Sequence, residues 1–165
     1  MTERQARSVV GWREWLALPD LGLPAIKAKI DTGARTSALH AYFVEPFDKG
    51  GLEHVRFGIH PLQKRTDIEV ICEALVSDRR WVSDSGGHRE LRYVIEAPVH
   101  MGDAVWPVEI TLTSRDSMLF RMLLGRTAIK GRMMVDPARS YVAGKLSRYV
   151  YFPRRRPARK KEVVV

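Results

Sequence analysis

Short alternations of apolar and polar residues dominate the chain between residues 24 and 142. Period-two patterning of this kind, rich in β-branched and aromatic side chains, indicates strands with one buried face. The alternating runs lie at residues 26–30, 55–59, 68–72, 91–95 and 105–112. The pattern predicts a mainly β, mostly antiparallel domain, folded as a partly closed β-barrel.

Turn and helix signals divide these runs. Glycine-containing turns are predicted at residues 48–51, 83–87 and 101–103. In the second half, a short helix is predicted only at residues 126–130, just after an apolar pair and a glycine. Near the N-terminus, Trp12, Trp15 and Leu16 fall at helical spacing, although residues 10–12 fit an extended chain equally well.

The 165 residues suit one domain, and charge sets its boundaries. We predict a flexible N-terminus over residues 1–10, the domain over 11–150 and a basic disordered tail over 151–165. From Lys145 onward there are eight lysines and arginines against Glu162, which is seven of the nine net positive charges. The body is therefore nearly neutral, and the tail is a cation that could contact RNA or ribosomes.

No apolar run is long enough to cross a bilayer, and the N-terminus carries no signal-peptide pattern, so we predict a cytoplasmic protein without a membrane partner. Cys72 is the single cysteine and can form no internal disulfide. Because its neighbours alternate like those of a half-buried strand, Cys72 is predicted to be a small packed side chain rather than a nucleophile.

Asp31-Thr32-Gly33-Ala34 directly follows an alternating strand and is the main candidate for chemistry. This context places a carboxylate on a tight loop, where Gly33 permits a close backbone approach. The Thr32 hydroxyl could bond to backbone across a symmetric contact. Taken alone, the triplet is equally good ordinary turn chemistry, so its weight depends on the rest of the chain.

A longer set of motifs supports the hypothesis that Asp31 is a catalytic residue. The run AKIDTGARTSALHA at residues 28–41 is followed by Leu-Leu-Gly-Arg at 123–126 and Val-Asp-Pro at 135–137. Together they resemble a bacterial family of retropepsin-like aspartic endopeptidases, over roughly residues 11 to 142. Members are also labelled ATP-dependent zinc proteases and are often found beside ATP-grasp ligases that add glutamates to proteins.

The resemblance implies a retropepsin-like (acid-protease) barrel with one short helix after the Leu-Leu-Gly brace. It also implies a homodimeric aspartic peptidase in which two Asp31 carboxylates activate a water that attacks a peptide bond. The implied site consists of catalytic Asp31, the supporting residues Thr32, Gly33 and Ala34, and the brace residues Leu123, Leu124, Gly125 and Arg126.

The zinc and ATP in the family's second label have no matching motif in this sequence. A Gly-Lys-Ser/Thr phosphate loop and a His-Glu-x-x-His run are both absent, and the five histidines share no metal-ligand spacing. His54 and His60 could share one face of a strand, but further ligands would be needed. We therefore predict no metal ligand and no cofactor, and rank a metallopeptidase last.

Asp84-Ser85-Gly86 spells a second possible catalytic triplet. The residues before it do not form an apolar strand, and no second brace follows. Ser85, Gly86 and Gly87 are better interpreted as the tip of a hairpin in the position of a flap over the active site.

Arg35 departs from the retroviral pattern, in which an acid after Asp-Thr-Gly-Ala pairs with the arginine after the brace glycine. Arg126 must therefore find another partner, and Arg35 could place positive charge beside the substrate. The leading hypothesis is thus a peptidase acting on protein or peptide substrates, including acidic, glutamate-rich tails. The alternative is a non-catalytic module of the same fold that binds RNA, ribosomes or protein through its basic tail.

Overall fold

The computed structural model describes residues 7–83, 86–114 and 119–152, and β-strands are its main element. The strands are β1 (Ser8–Val10), β2 (Arg13–Leu18), β3 (Leu23–Asp31), β4 (Ser37–His40), β5 (Phe43–Lys49), β6 (Leu52–Ile59), β7 (Val70–Leu75), β8 (Asp78–Ser83), β9 (Arg89–Met101), β10 (Ala104–Thr113), β11 (Met122–Gly125) and β12 (Met133–Val135). One α-helix, α1 (Arg126–Ile129), follows β11, and short 3₁₀ turns occur at Pro19–Leu21 and Arg148–Tyr151. The predicted mainly β class and the short helix after the brace are confirmed.

Seven strands form one sheet in the order β10-β4-β11-β3-β2-β9-β8. Because β9 also pairs with β10, six of these strands close into a ring, and β8 is attached to the outside of β9. Most neighbours are antiparallel, but β11 is parallel to β3 and β10 is parallel to β4. The predicted barrel is confirmed, and its ring of paired strands is continuous.

A three-stranded sheet, β5-β6-β7, and the parallel pair β1-β12 complete the architecture. The predicted turns at residues 48–51 and 101–103 join β5 to β6 and β9 to β10, and of the turn predicted at 83–87 the described residues Gly86 and Gly87 lie between β8 and β9. In the first of these, Asp48 Oδ1 accepts a hydrogen bond from Gly51 N at 3.1 Å. Gly50 and Gly51 have φ angles of 64° and 80°, which residues with a side chain rarely adopt.

The strands turn their alternating apolar residues inward to form one core. The largest fully buried apolar side chains are Leu16, Leu18, Leu23, Ile26, Leu39, Phe57, Ile59, Ile95, Ile110, Met122 and Leu124. Cys72 is also buried, and burial raises the pKa of its thiol to about 12. This confirms Cys72 as a packed side chain, since a thiol with that pKa is almost entirely protonated near neutral pH.

The structure extends the domain beyond both predicted boundaries. Ser8–Val10, placed by the sequence in a flexible N-terminus, form β1 and pair with Met133–Val135. Tyr151, placed in the disordered tail, donates its hydroxyl proton to Ala25 O and accepts a hydrogen bond from Ala25 N at 3.1 Å. Both corrections have one cause: these residues gain partners that are more than 120 positions away in the sequence. The rest of the predicted tail, residues 153–165, lies outside the described residues.

The segment around Trp12 and Trp15 is extended, because β2 pairs with β3 on one side and with β9 on the other. Its apparent helical spacing arises from a strand that buries residues on both faces, namely Glu14, Trp15 and Leu16. No helix in the described part of the chain is long and apolar enough to span a membrane.

Glu14 is a fully buried carboxylate that ties the C-terminal segment to β2. Its Oε2 accepts hydrogen bonds from Gly11 N at 2.7 Å and Val142 N at 3.0 Å, and its Oε1 accepts one from Ala143 N at 2.8 Å. Three backbone donors satisfy a charge that would otherwise be costly to bury. Glu14 therefore fixes where the chain leaves the barrel.

We expect Glu14→Gln to lower the free energy of unfolding by about 2 kcal/mol or more, because an amide group places an N–H against backbone donors. Urea unfolding followed by tryptophan fluorescence measures the change. Glu45→Gln, at an exposed position of β5, is the matched control and should stay within about 0.5 kcal/mol of the wild type. Equal effects of the two substitutions would contradict the anchoring role.

Candidate active site

Asp31 is the last residue of β3, and its carboxylate is held by the loop that follows. Its Oδ1 accepts hydrogen bonds from Gly33 N at 3.0 Å and from Ala34 N at 3.2 Å. A carboxylate that bonds the backbone two and three residues later stabilises a tight turn and fixes its own rotamer. Asp31 is half-buried and lines an open cleft, so this carboxylate is accessible from the cleft.

The brace strand β11 lies between β3 and β4 and sets the position of this loop. Leu124 pairs with Ile30, and Gly125 pairs with Asp31, in parallel register. Leu124 is fully buried in the core, whereas Leu123 is partly exposed and lines the cleft. The two leucines of the brace therefore have different environments, one anchoring the strand and the other forming part of the cleft wall.

Gly125 lies where a side chain cannot fit. A Cβ atom at this position would be 2.6 Å from the carbonyl carbon of Thr36 and 2.9 Å from Ser37 N. The close approach lets Gly125 N donate a buried hydrogen bond to Ser37 Oγ at 3.0 Å. Glycine is thus required for packing between the brace and the segment that follows the Asp31 loop.

Arg126 and helix α1 hold the same loop from the other side. Arg126 N donates to Ala34 O at 2.7 Å, and Thr127 N donates to Arg35 O at 3.0 Å. The Arg126 guanidinium donates through Nη1 to Thr32 O at 3.2 Å. Arg126 therefore has a hydrogen-bond partner within the chain, the Thr32 carbonyl, although position 35 carries an arginine instead of the acid that pairs with the corresponding arginine in the retroviral pattern.

The structure therefore brings together most of the predicted site: the Asp31 loop and the brace form one continuous unit. Catalysis by Asp31 stays a prediction. Of the predicted flap, Ser85 lies outside the described residues, while Gly86 and Gly87 belong to the turn between β8 and β9. Strand β8 does reach the site, because its residues Arg80 to Ser83 line the same cleft as Asp31.

The cleft has a volume of about 1110 Å³ and is rich in charge. Among the described residues, its lining includes two carboxylates, Asp31 and Glu109, and four arginines: Arg35, Arg80, Arg92 and Arg126. Arg80 donates to both oxygens of Glu109, from Nη1 to Oε2 and from Nη2 to Oε1, each at 2.9 Å. Arginines therefore outnumber carboxylates in the lining, and two of them also pair with carboxylates outside it, Arg80 with Asp78 and Arg92 with Glu90.

Buried hydrogen bonds link the cleft floor to the brace. Arg92 Nε donates to Glu90 Oε2 at 3.0 Å, and Arg92 Nη1 donates to Thr111 Oγ1 at 3.3 Å. Thr111 Oγ1 donates in turn to Ser37 O at 3.2 Å. Through Ser37, this chain of contacts reaches the backbone of Gly125 beside Asp31.

Sequence reasoning missed Arg80, Arg92 and Glu109. They stand on three different strands, and the pairing of β8 and β10 with β9 brings them together. Arg80 and Arg92 are direct register partners in that ladder. A charged residue at an alternate position of a strand normally indicates a solvated face, so no local signal marked them.

Within the described ranges, no group of three or more histidine, cysteine, aspartate or glutamate side chains could hold a metal ion. The two histidines that could have shared a strand face have separate contacts. His54 Nδ1 lies 3.0 Å from Leu52 O, whereas His60 Nδ1 lies 3.2 Å from Ile68 O and its ring stacks on Tyr42.

The fold and this loop define a class: a retropepsin-like barrel with one Asp-Thr-Gly loop per chain, braced by Leu-Leu-Gly. A family model described as "Retropepsin-like aspartic endopeptidase RimB" matches residues 9–146. The chain belongs to this RimB-like family.

Curated relatives and a solved structure extend the comparison. A protein from Shewanella pealeana named "Probable alpha-L-glutamate ligase" is 48% identical over 136 residues, which is 82% of this chain and 30% of that protein. A protein of the same name from Desulfotalea psychrophila is 42% identical over 148 residues, covering 90% and 32%. The chain thus spans about a third of the curated relatives it matches. A crystal structure of a Legionella pneumophila protein of unknown function superimposes with a TM-score of 0.69 and 27% identity, covering 84% of this chain and 99% of that one.

We expect Ser37→Ala to lower the free energy of unfolding by about 1–3 kcal/mol, since it leaves the buried Gly125 N–H without its acceptor. Urea unfolding measures the loss. Ser140→Ala is the matched control, because Ser140 Oγ accepts a hydrogen bond from Arg13 Nε at 3.1 Å in a more exposed setting. A Ser37→Ala effect no larger than that of Ser140→Ala would show that the Gly125–Ser37 contact does not brace the loop.

Proposed function

We propose that this chain is an aspartic endopeptidase that acts as a homodimer, with one Asp31 from each copy in a shared active site. The observation that carries the proposal is the geometry of Asp31: a half-buried carboxylate, fixed by Gly33 N and Ala34 N, at the edge of an open cleft. One chain supplies one such loop. A second copy, related by a two-fold axis, would complete the pair of carboxylates.

The mechanism follows from the electrostatics of such a pair. Two carboxyl groups about 3 Å apart cannot both ionise, so they share one proton and titrate as a unit. The ionised Asp31 takes a proton from a water molecule, which then attacks the scissile carbonyl carbon. The protonated Asp31 donates a hydrogen bond to the carbonyl oxygen and stabilises the negative charge that develops there. This route needs neither a covalent intermediate nor a metal.

The charge of the cleft supports an acidic peptide as substrate. Arg80 and Arg92 form ion pairs with carboxylates, whereas the Arg126 side chain bonds a backbone carbonyl and Arg35 extends from the Asp31 loop itself. Relatives that contain a similar segment are named as glutamate ligases, which makes glutamate-rich protein tails reasonable candidates. We propose such tails as the substrate class, with the cleft arginines binding their carboxylates.

Replacing the carboxylate tests the catalytic role. Asp31→Asn should reduce kcat/KM on glutamate-rich peptides by at least about 100-fold, because the amide cannot accept the water's proton. Asp20→Asn, at an exposed aspartate in the Pro19–Leu21 turn, should retain wild-type activity. Activity per chain should also fall when the wild-type enzyme is diluted below its dimer dissociation constant.

Two outcomes would favour the other hypotheses. Cleavage that survives Asp31→Asn and stops with a chelator would support a metallopeptidase. The second outcome combines no cleavage of any acidic protein by the wild type with salt-dependent RNA binding. If deleting residues 153–161 abolishes that RNA binding, the chain is a binding module.

Reversing the charge at Arg35 tests the substrate class. Arg35→Glu should lower kcat/KM for glutamate-rich peptides by roughly tenfold, mostly by raising KM. The kcat/KM for glutamine-rich peptides should be nearly unchanged. Lys49→Glu makes the same charge change at an exposed position outside the cleft and should have little effect. If Arg35→Glu alters both peptide classes equally, the cleft does not select for acidic substrates.

A further inference from the structure

The Arg80–Glu109 ion pair lies inside the cleft and connects two of its walls. Arg80 belongs to β8, the arm of the predicted flap hairpin, whereas Glu109 belongs to the barrel strand β10. Both residues line the cleft together with Asp31. Their side chains are 38% and 43% exposed, so substrate and water can reach the pair.

The contact is a bidentate fork with a defined number of donors. Two Arg80 nitrogens, Nη1 and Nη2, each donate one hydrogen bond to Glu109 at 2.9 Å, and Nε donates to Asp78 Oδ2 at 2.7 Å. A guanidinium has five N–H donors, so two remain for another acceptor. Arg80 can therefore bind a further carboxylate, but in direct competition with the negative charge of Glu109.

Glu109 is also close enough to Arg35 to be stabilised by it. The hydrogen bonds from Arg80 lower the pKa of the Glu109 carboxyl group; burial and the nearby Asp78 oppose this shift, and Arg35 adds a smaller lowering contribution. Glu109 is thus ionised at neutral pH and interacts with two cations, Arg80 on β8 and Arg35 in the loop after β3. Glu109 therefore presents in the cleft the same charged carboxylate group that a substrate glutamate would present.

The geometry points to Glu109 as a specificity-determining residue: an internal carboxylate that competes with substrate carboxylates for Arg80. This inference rests on the proposed acidic substrate class and adds a second function to the cleft arginines. With Glu109 present, a single substrate carboxylate gains little binding free energy from Arg80. Binding then requires several acidic substrate side chains, which together outcompete Glu109. The cleft therefore discriminates by the number of substrate charges and not by the presence of one.

A neighbouring ion pair provides a matched control on the same strand. Arg79, next to Arg80 in β8, donates from Nε to Glu53 Oε1 at 3.0 Å and from Nη2 to Glu53 Oε2. Neither Arg79 nor Glu53 is among the residues that line the cleft. Glu53→Gln therefore removes the same charge from the same kind of fork, without changing the site.

The test measures binding in chains that carry Asp31→Asn, so that peptides are not cleaved. Fluorescein-labelled octaglutamate, diglutamate and octaglutamine are titrated by anisotropy at pH 7. Glu109→Gln should tighten octaglutamate and diglutamate binding by roughly fivefold or more, with the larger factor for diglutamate, and leave octaglutamine unchanged. Glu53→Gln should stay within about twofold of its parent for all three peptides.

A second substitution identifies the competing cation. Adding Arg80→Gln to Glu109→Gln should abolish the gain, because the cation for which Glu109 competed is then absent. Unchanged or weaker acidic-peptide binding in Glu109→Gln, a gain that persists without Arg80, or no octaglutamate binding in any variant would each overturn the inference. Failure of the proposed peptidase activity is seen separately, as absence of cleavage by the wild-type chain.

Discussion

The site depends on one close contact: the backbone of Gly125 packs directly against the backbone of Thr36 and Ser37. This contact lets β11 lie between β3 and β4, parallel to one and antiparallel to the other. Asp31 then has Gly125 as its register partner, and the helix that follows Gly125 donates its first N–H groups to the Asp31 loop. A Cβ atom at position 125 would separate these elements and displace the carboxylate.

The polar groups of the barrel are arranged around this contact. Arg92, Thr111 and Ser37 are buried and hydrogen-bonded in sequence, so that the cleft floor and the brace form one network. Such networks hold a site rigidly only when their members are satisfied, as these are. The more exposed pair, Arg80 and Glu109, lies at the periphery of the same cleft, where a charged ligand can compete with it.

The hypotheses from the sequence succeeded where the information was local. The strand before Asp31, the glycine turn at Gly50 and Gly51, and the helix after Gly125 each follow from neighbouring residues, and each is present. They failed at the ends of the domain. Ser8–Val10 and Tyr151 carry no local signal for order, and they are structured because distant partners satisfy their polar groups.

By itself, the sequence determined the mainly β class, the barrel and the Asp31 loop with its brace, because alternation, turn chemistry and a specific motif are encoded over short stretches. The tertiary structure alone decided that the ring closes through β9 and β10 and that four arginines meet in the lining of one cleft. It also decided that Arg80 faces Glu109 across β9. Strand partners are chosen by packing over the whole chain, so residues that are unremarkable in sequence acquire their role only when pairing brings them together.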